Sequence, residues 1–261
     1  MLYYEIYDNN SSHWVVFLHG FGGSTLTWKK QIEAFSDYNL LLMDLPGHGN
    51  STNENLISIT GVSICIKEVL DHLNIRRADF VALSLGTLVL TNFAIRYPDY
   101  VNSIIYGGAS LKLNGIYKRL LAVVNMTKEA LPSRFLFTTL SKIMLPRKNH
   151  QTSRKIFIRE SLKMKRKSVL LWVSYVWNVL GKRNLWRGLK ELNIEMLFVS
   201  GSEDICFIDG TKEVVNNLSQ ANLSVIENCG HVCTIEKYRE FNKTALEFLN
   251  RIHAEEEVVY A

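Results

Sequence analysis

The chain has 261 residues, is 47% hydrophobic and carries a formal net charge of +5, which excludes a disordered polymer and leaves room for one full hydrophobic core. No uninterrupted apolar stretch is long enough to span a bilayer, and residues 1–10 carry Glu5 and Asp8 with no basic run ahead of an apolar one, so neither a transmembrane segment nor a secretory leader is expected. The four cysteines, Cys65, Cys206, Cys229 and Cys233, show no disulfide spacing, and a reducing, cytoplasmic home is the expectation.

Residues 2–7 read as a short edge strand and residues 14–18 as a buried strand, an apolar run bounded by turn formers. A glycine-rich loop follows, His19-Gly20-Phe21-Gly22-Gly23. Residues 28–35 have helical apolar spacing. Residues 40–43 are a second buried strand, which runs into Asp44-Leu45-Pro46-Gly47-His48-Gly49-Asn50-Ser51, dense in turn formers. Val62, Ile66, Val69, Leu70 and Leu73 recur at three and four, which predicts a helix over 60–74. Residues 80–83 and 101–106 are strands, and between them an apolar helical pattern runs from Thr87 to Tyr97 and stops before Pro98. Residues 196–200 and 223–226 are two more strands around a helix near 209–218. A helix over 236–253 closes the pattern, with Glu255-Glu256-Glu257 as a frayed tail.

Strands alternating with helices predict an α/β fold with a mostly parallel sheet covered on both faces. The alternation breaks once, between Gly107 and Gly188, where the chain reads as helices. From Leu111 to Lys190 there are 19 Lys and Arg against two acids, Glu129 and Glu160, a balance of +17; the remainder carries 11 against 23, a balance of −12. The expectation is a core made of residues 1–110 and 187–261, with a basic helical cap over 111–186.

The chemistry centres on Asp79-Phe80-Val81-Ala82-Leu83-Ser84-Leu85-Gly86. A strand meets a serine flanked by small residues at −2 and +2, Ala82 and Gly86, as a sharp strand-to-helix turn requires. Such a turn holds the hydroxyl above the sheet edge, with the Leu85 amide at a helix N-terminus where an oxyanion can bind. A serine hydroxyl needs a base, and the base needs an orienting acid. Downstream, Ser200-Gly201-Ser202-Glu203-Asp204 and Asn228-Cys229-Gly230-His231 each leave a strand through a glycine turn. Ser84, Asp204 and His231 therefore all fall at the sheet edge where parallel sheets build sites. Glu203 and Asp209 are alternative acids. His19 and His48 are in the wrong places for the base, and His48 is expected to brace its loop. Cys229 and Cys233 flank His231 but lack a fourth metal ligand, and no lysine follows the glycine-rich loop at P-loop spacing, so neither a metal nor a cofactor is expected.

In the order and spacing of these blocks the chain resembles the α/β-hydrolase family, in its serine esterase and lipase-like branch, over nearly its whole length. The resemblance implies Ser84 as nucleophile, His231 as base, Asp204 as orienting acid, and the amides of Phe21 and Leu85 as the oxyanion hole. The implied function is hydrolysis of a small-molecule carboxylic ester. Thioester, carbon–carbon bond, perhydrolase and lyase-type chemistry are alternatives on the same scaffold, and a ligand-sensing receptor is an alternative of another class. One branch of the family hydrolyses acyl-carrier esters and docks its carrier through a basic cap. An acidic acyl carrier protein, coenzyme A or an anionic membrane surface is accordingly the expected partner of the basic segment. No nucleic acid is expected, since no binding motif accompanies the charge.

Overall fold

Continuous apolar strands need cover on both faces, and the computed structural model, which describes residues 1–182 and 184–260, supplies it. The strands are β1 (Tyr4–Tyr7), β2 (Trp14–Leu18), β3 (Asn39–Met43), β4 (Ala78–Leu83), β5 (Val101–Gly107), β6 (Glu195–Gly201) and β7 (Ala221–Ile226). They form one sheet in the order β1-β3-β2-β4-β5-β6-β7, parallel except for β1, which pairs antiparallel with β3. Every residue of β3 and β4 is buried. Side chains alternate between two apolar layers: Val16 and Leu18 of β2 join one, Val15 and Phe17 the other. Phe17 lies between Trp28 and Phe35, with ring centroids at 5.0 and 5.4 Å, and its full burial is worth roughly 1.5–3 kcal/mol.

The helices are α1 (Lys29–Ile32), α2 (Ile59–His72), α3 (Leu85–Arg96), α4 (Gly115–Thr127), α5 (Ser133–Met144), α6 (Gln151–Ser161), α7 (Arg166–Val176), α8 (Ile208–Val215), α9 (Cys233–Glu236) and α10 (Tyr238–Tyr260). Ser58 caps α2 by accepting from the Gly61 amide at 2.9 Å. α2 and α3 cover one face of the sheet through Val62, Ile66, Val69, Leu88 and Phe93; α10 covers the other through Phe241, Ala245 and Leu249. The helix expected over 28–35 is only a 3₁₀ turn (Thr25–Trp28) and the single turn of α1. Trp28 and Phe35 are buried as the spacing requires, but the chain turns back through a Tyr38 amide to Phe35 carbonyl bond of 3.1 Å to enter β3. At the other end α10 continues past His253 to Tyr260, where a frayed tail was expected. Arg251 supports the extension by pairing with Glu255 at 3.1 Å. The side chains from Glu256 onward lie outside the described residues.

Helices α4 to α7 fill the interval between β5 and β6, and no strand occurs there among the described residues. Arg183, one of that interval's cations, is not among them. Val124, Leu136, Phe137, Val169 and Val173 form a small apolar cluster of these helices, while Trp172, Tyr175 and Trp186 belong to the core beneath. The Trp172 indole N–H donates to the Pro46 carbonyl at 2.8 Å, tying α7 to the 44–51 turn.

The connections place the C-terminal ends of β2 and β4 side by side, where the winding of the sheet reverses. Gly86 opens α3 against β2: a Cβ there would stand 2.3 Å from the Leu18 carbonyl oxygen and 2.8 Å from that of His19. Gly86→Ala is therefore expected to destabilise the fold by about 1–3 kcal/mol. Gly115→Ala, at the start of α4 with nothing within 4 Å, should be neutral or slightly stabilising. Thermal melting of the two variants checks the contrast, and equal melting temperatures would contradict it.

Candidate active site

Ser84 joins β4 to α3 at φ +51° and ψ −115°, a backbone conformation rare for a side-chain-bearing residue. Its amide donates to the Gly107 carbonyl at 3.1 Å, and its carbonyl accepts from the Thr87 amide at 2.8 Å and the Thr87 hydroxyl at 2.6 Å. The main chain is thus fixed on both sides of the turn and the hydroxyl projects beyond the sheet edge. Asp204 lies three residues after β6, in a turn knitted to its neighbour: Ser202 donates to the Ile226 carbonyl and Glu203 to the Cys229 carbonyl, both at 2.9 Å. That approach requires Gly201, since a Cβ there would lie 2.2 Å from the carbonyl oxygens of Cys229 and Gly230. His231 follows β7.

These turns bring the three side chains together. His231 Nε2 is 2.7 Å from Ser84 Oγ, and His231 Nδ1 is 2.8 Å from Asp204 Oδ2. His231 and Asp204 are buried, and the Phe207 ring stacks on the imidazole at 5.1 Å between centroids. Burial pulls the His231 pKa down, but the charge of Asp204, its hydrogen bond and the charge of Glu236 outweigh that pull and raise it above the ordinary 6.5.

Neither alternative acid reaches the imidazole. Asp209 is exposed in the first turn of α8. Glu203 turns to the inserted helices, where Arg147 Nη1, Asn149 Nδ2 and His150 Nε2 each lie 2.8 Å from its carboxylate. The Asn149 bond, with those of His150 and the Arg147 charge, holds Glu203 below the usual carboxylate range against the opposing effect of burial. His150 is fully buried and lies 3.8 Å from a second carboxylate, Glu236, which accepts from the Gly230 amide at 2.7 Å. One imidazole from the insert therefore stands between two acids, one preceding Asp204 in sequence and the other bonded to the residue preceding His231. Sequence reasoning missed His150, Arg147, Asn149 and Glu236, because no local pattern marks residues that meet across 53 or more positions.

His19 and His48 stay apart from Ser84. The Leu45 amide donates to His19 Nε2 at 3.0 Å while Nδ1 bonds the Gly20 carbonyl at 2.7 Å, which specifies the neutral tautomer, and burial lowers its pKa. His48 packs against His19, Phe21 and Trp172. The four cysteines are buried thiols.

Ser84 and His231 open onto a cavity of about 190 Å³. Phe21 and Leu85 line it too. Leu85 opens α3, so its N–H has no acceptor in a preceding turn. Much of the wall comes from the insert: Tyr117, Leu120, Leu121 and Val124 of α4, Leu140, Ile143 and Met144 of α5, and Ile156 and Phe157 of α6. No Lys or Arg among the described residues lines it. Among the described residues the one carboxylate on its wall, Glu160, pairs with Arg159 and Lys163.

Residues 13–238 match the alpha/beta hydrolase fold family. The putative 2-succinyl-6-hydroxy-2,4-cyclohexadiene-1-carboxylate synthase of Bacillus subtilis (strain 168) is 23% identical over 254 residues, 93% of this chain and 92% of that protein. The synthase of the same name from Klebsiella pneumoniae is 40% identical over 81 residues, so the match spans only 32% of that protein. Among solved structures, an esterase from Exiguobacterium antarcticum superposes with a TM-score of 0.82 at 17% identity, covering 95% of both chains, a likeness of fold. With a family match over most of its length, the chain, whose sheet carries Ser84, Asp204 and His231 at one edge, belongs to the α/β-hydrolase fold family.

Proposed function

We propose that this hydrolase-type enzyme cleaves a carboxylic ester with an apolar acyl group through an acyl-enzyme on Ser84. The observation that carries the reading is the His231 imidazole, 2.7 Å from the Ser84 hydroxyl and 2.8 Å from the Asp204 carboxylate, at the wall of an apolar cavity. In this mechanism Ser84 Oγ attacks the ester carbonyl and its proton passes to His231 Nε2. Asp204 keeps the Nδ1 proton in place and stabilises the imidazolium. The tetrahedral oxyanion accepts from the amides of Phe21 and Leu85, each such donor being worth about 10²–10³ in rate. His231 then gives its proton to the departing alcohol. A water molecule surrenders a proton to His231 and attacks the acyl-enzyme, which releases the acid and restores the serine.

A second reading follows the relatives' names, that of a cyclohexadiene-carboxylate synthase. The product so named carries a ring carboxylate and a succinyl group, and burying such anions without cationic partners is costly. The cavity wall, without Lys or Arg among the described residues, favours a neutral acyl chain instead. Assay of neutral p-nitrophenyl esters beside synthase turnover separates the two, and formation of the named product with no ester cleavage would overturn the ester reading.

Ser84→Ala is expected to lower ester turnover about 10³-fold or more while leaving the fold intact. Retained turnover in the folded variant would refute the nucleophile. The raised His231 pKa adds a pH dependence: kcat/KM should climb with pH along a limb centred above 6.5, because only the neutral imidazole accepts the proton. Glu236→Gln should move that limb to lower pH with little loss of maximal rate. Asp204→Asn should move it the same way and cost about 10⁴ in rate. By the same sign, a protonated His231 contributes stability at low pH that is lost as pH rises through the folded-state value. A limb at or below 6.5 in the native protein would contradict the electrostatics.

A further inference from the structure

Helix α4 is apolar on two sides. Tyr117, Leu120, Leu121 and Val124 line the cavity, whereas Ile116, Val123 and Met126, at helical spacing on another side, are 71%, 54% and 83% exposed. Phe135, in the first turn of α5, is 56% exposed. Single exposed apolar residues are ordinary, but a stripe along eleven residues of a helix whose other side is already committed to a cavity marks a contact surface. The exposed charge on these two helices is cationic. Arg119 falls within the stripe, and Lys118, Arg134 and Lys142 are exposed on the same two helices. Glu129 is the sole acid between residues 111 and 159, against 11 Lys and Arg.

We propose that the outer side of α4 and the first turn of α5 dock on an anionic lipid surface. Ile116, Val123, Met126 and Phe135 enter the boundary between head groups and acyl chains, and the surrounding cations meet the lipid phosphates. An acidic protein would match the charge but would need grooves shaped to four apolar side chains on two helices, whereas the acyl-chain boundary of a bilayer accepts them without one. The docking brings α4, which also walls the cavity, against the membrane and so sets the cavity near amphiphilic esters; this last point rests on the ester reading above.

The test is sedimentation of the full chain with vesicles. It should pellet with vesicles of equal parts phosphatidylcholine and phosphatidylglycerol, should not pellet with phosphatidylcholine alone, and should be released by salt. Val123→Glu with Met126→Glu should weaken vesicle binding at least tenfold, and Arg119→Glu severalfold. None of these side chains lines the cavity, so turnover of a short soluble ester and the melting temperature should stay as in the native protein. Failure to pellet with anionic vesicles, or unchanged binding by the folded double variant, would overturn the proposal. So would capture by an acidic acyl carrier protein in place of vesicles, or a dimer that the double variant dissociates. Vesicle binding by a protein that cleaves no ester would sink the ester reading and leave the docking standing; ester cleavage without vesicle binding would do the reverse.

Discussion

Everything at this site depends on one strained turn. A serine at φ +51° and ψ −115° sits in sparsely populated backbone space, which costs on the order of 1–3 kcal/mol. It persists because the surroundings over-determine it. β4 is buried between β2 and β5 and cannot slide, and α3 is held against the sheet by Leu88 and Phe93. Gly86 lets the first turn of α3 come close to the β2 carbonyls. The hydroxyl direction is thus set by a core far larger than the site, which is how a fold can keep a reactive geometry without ligand.

The histidine side depends on a different device. His231 and Asp204 sit on turns after adjacent strands, β7 and β6, and those turns are tied by backbone bonds as well as by the imidazole itself. Glu203 and Glu236 then anchor the same two turns to His150. A buried polar contact is weak support for stability, because desolvation offsets attraction. Its value here is geometric: the carboxylate beside Asp204 is drawn away from His231 by three donors of the insert, which leaves one acid facing the base. The inserted helices therefore shape the electrostatics of the site as well as its cavity.

The strands, and the placement of Ser84, Asp204 and His231 just beyond strand ends, were legible because the signals are local. An apolar run, a glycine and a polar residue within a few positions place a side chain at the end of a parallel strand, and β2 spans residues 14–18 as its pattern predicts. Helix extent was less legible. The apolar spacing at Trp28, Ile32 and Phe35 fits a helix, yet the need to turn back into β3 cuts it to one turn, and a pair with Glu255 carries α10 past the expected end. The His150 clamp and the Trp172 tie to Pro46 were not legible at all. They join residues more than 50 positions apart, and the sequence carries no periodicity that connects them.

The placement of charge in this chain bears on which class of substrate its cavity favours. A cation-rich segment on a hydrolase scaffold could serve an anionic substrate, and the names of those relatives point that way. Among the described residues, however, no lysine or arginine lines the cavity. Arg154 and Arg166 are spent on backbone carbonyls, Arg159 and Lys163 on Glu160, and Lys118, Arg119, Arg134 and Lys142 face outward. The apolar side chains divide instead between the cavity and the outer side of α4. A segment that is apolar inward, and apolar and cationic outward, has the two surfaces needed to hold a neutral chain and to meet an anionic interface. The same arrangement would leave a buried polycarboxylate unpaired, because where the charges lie, and not how many there are, decides which substrate the cavity can hold.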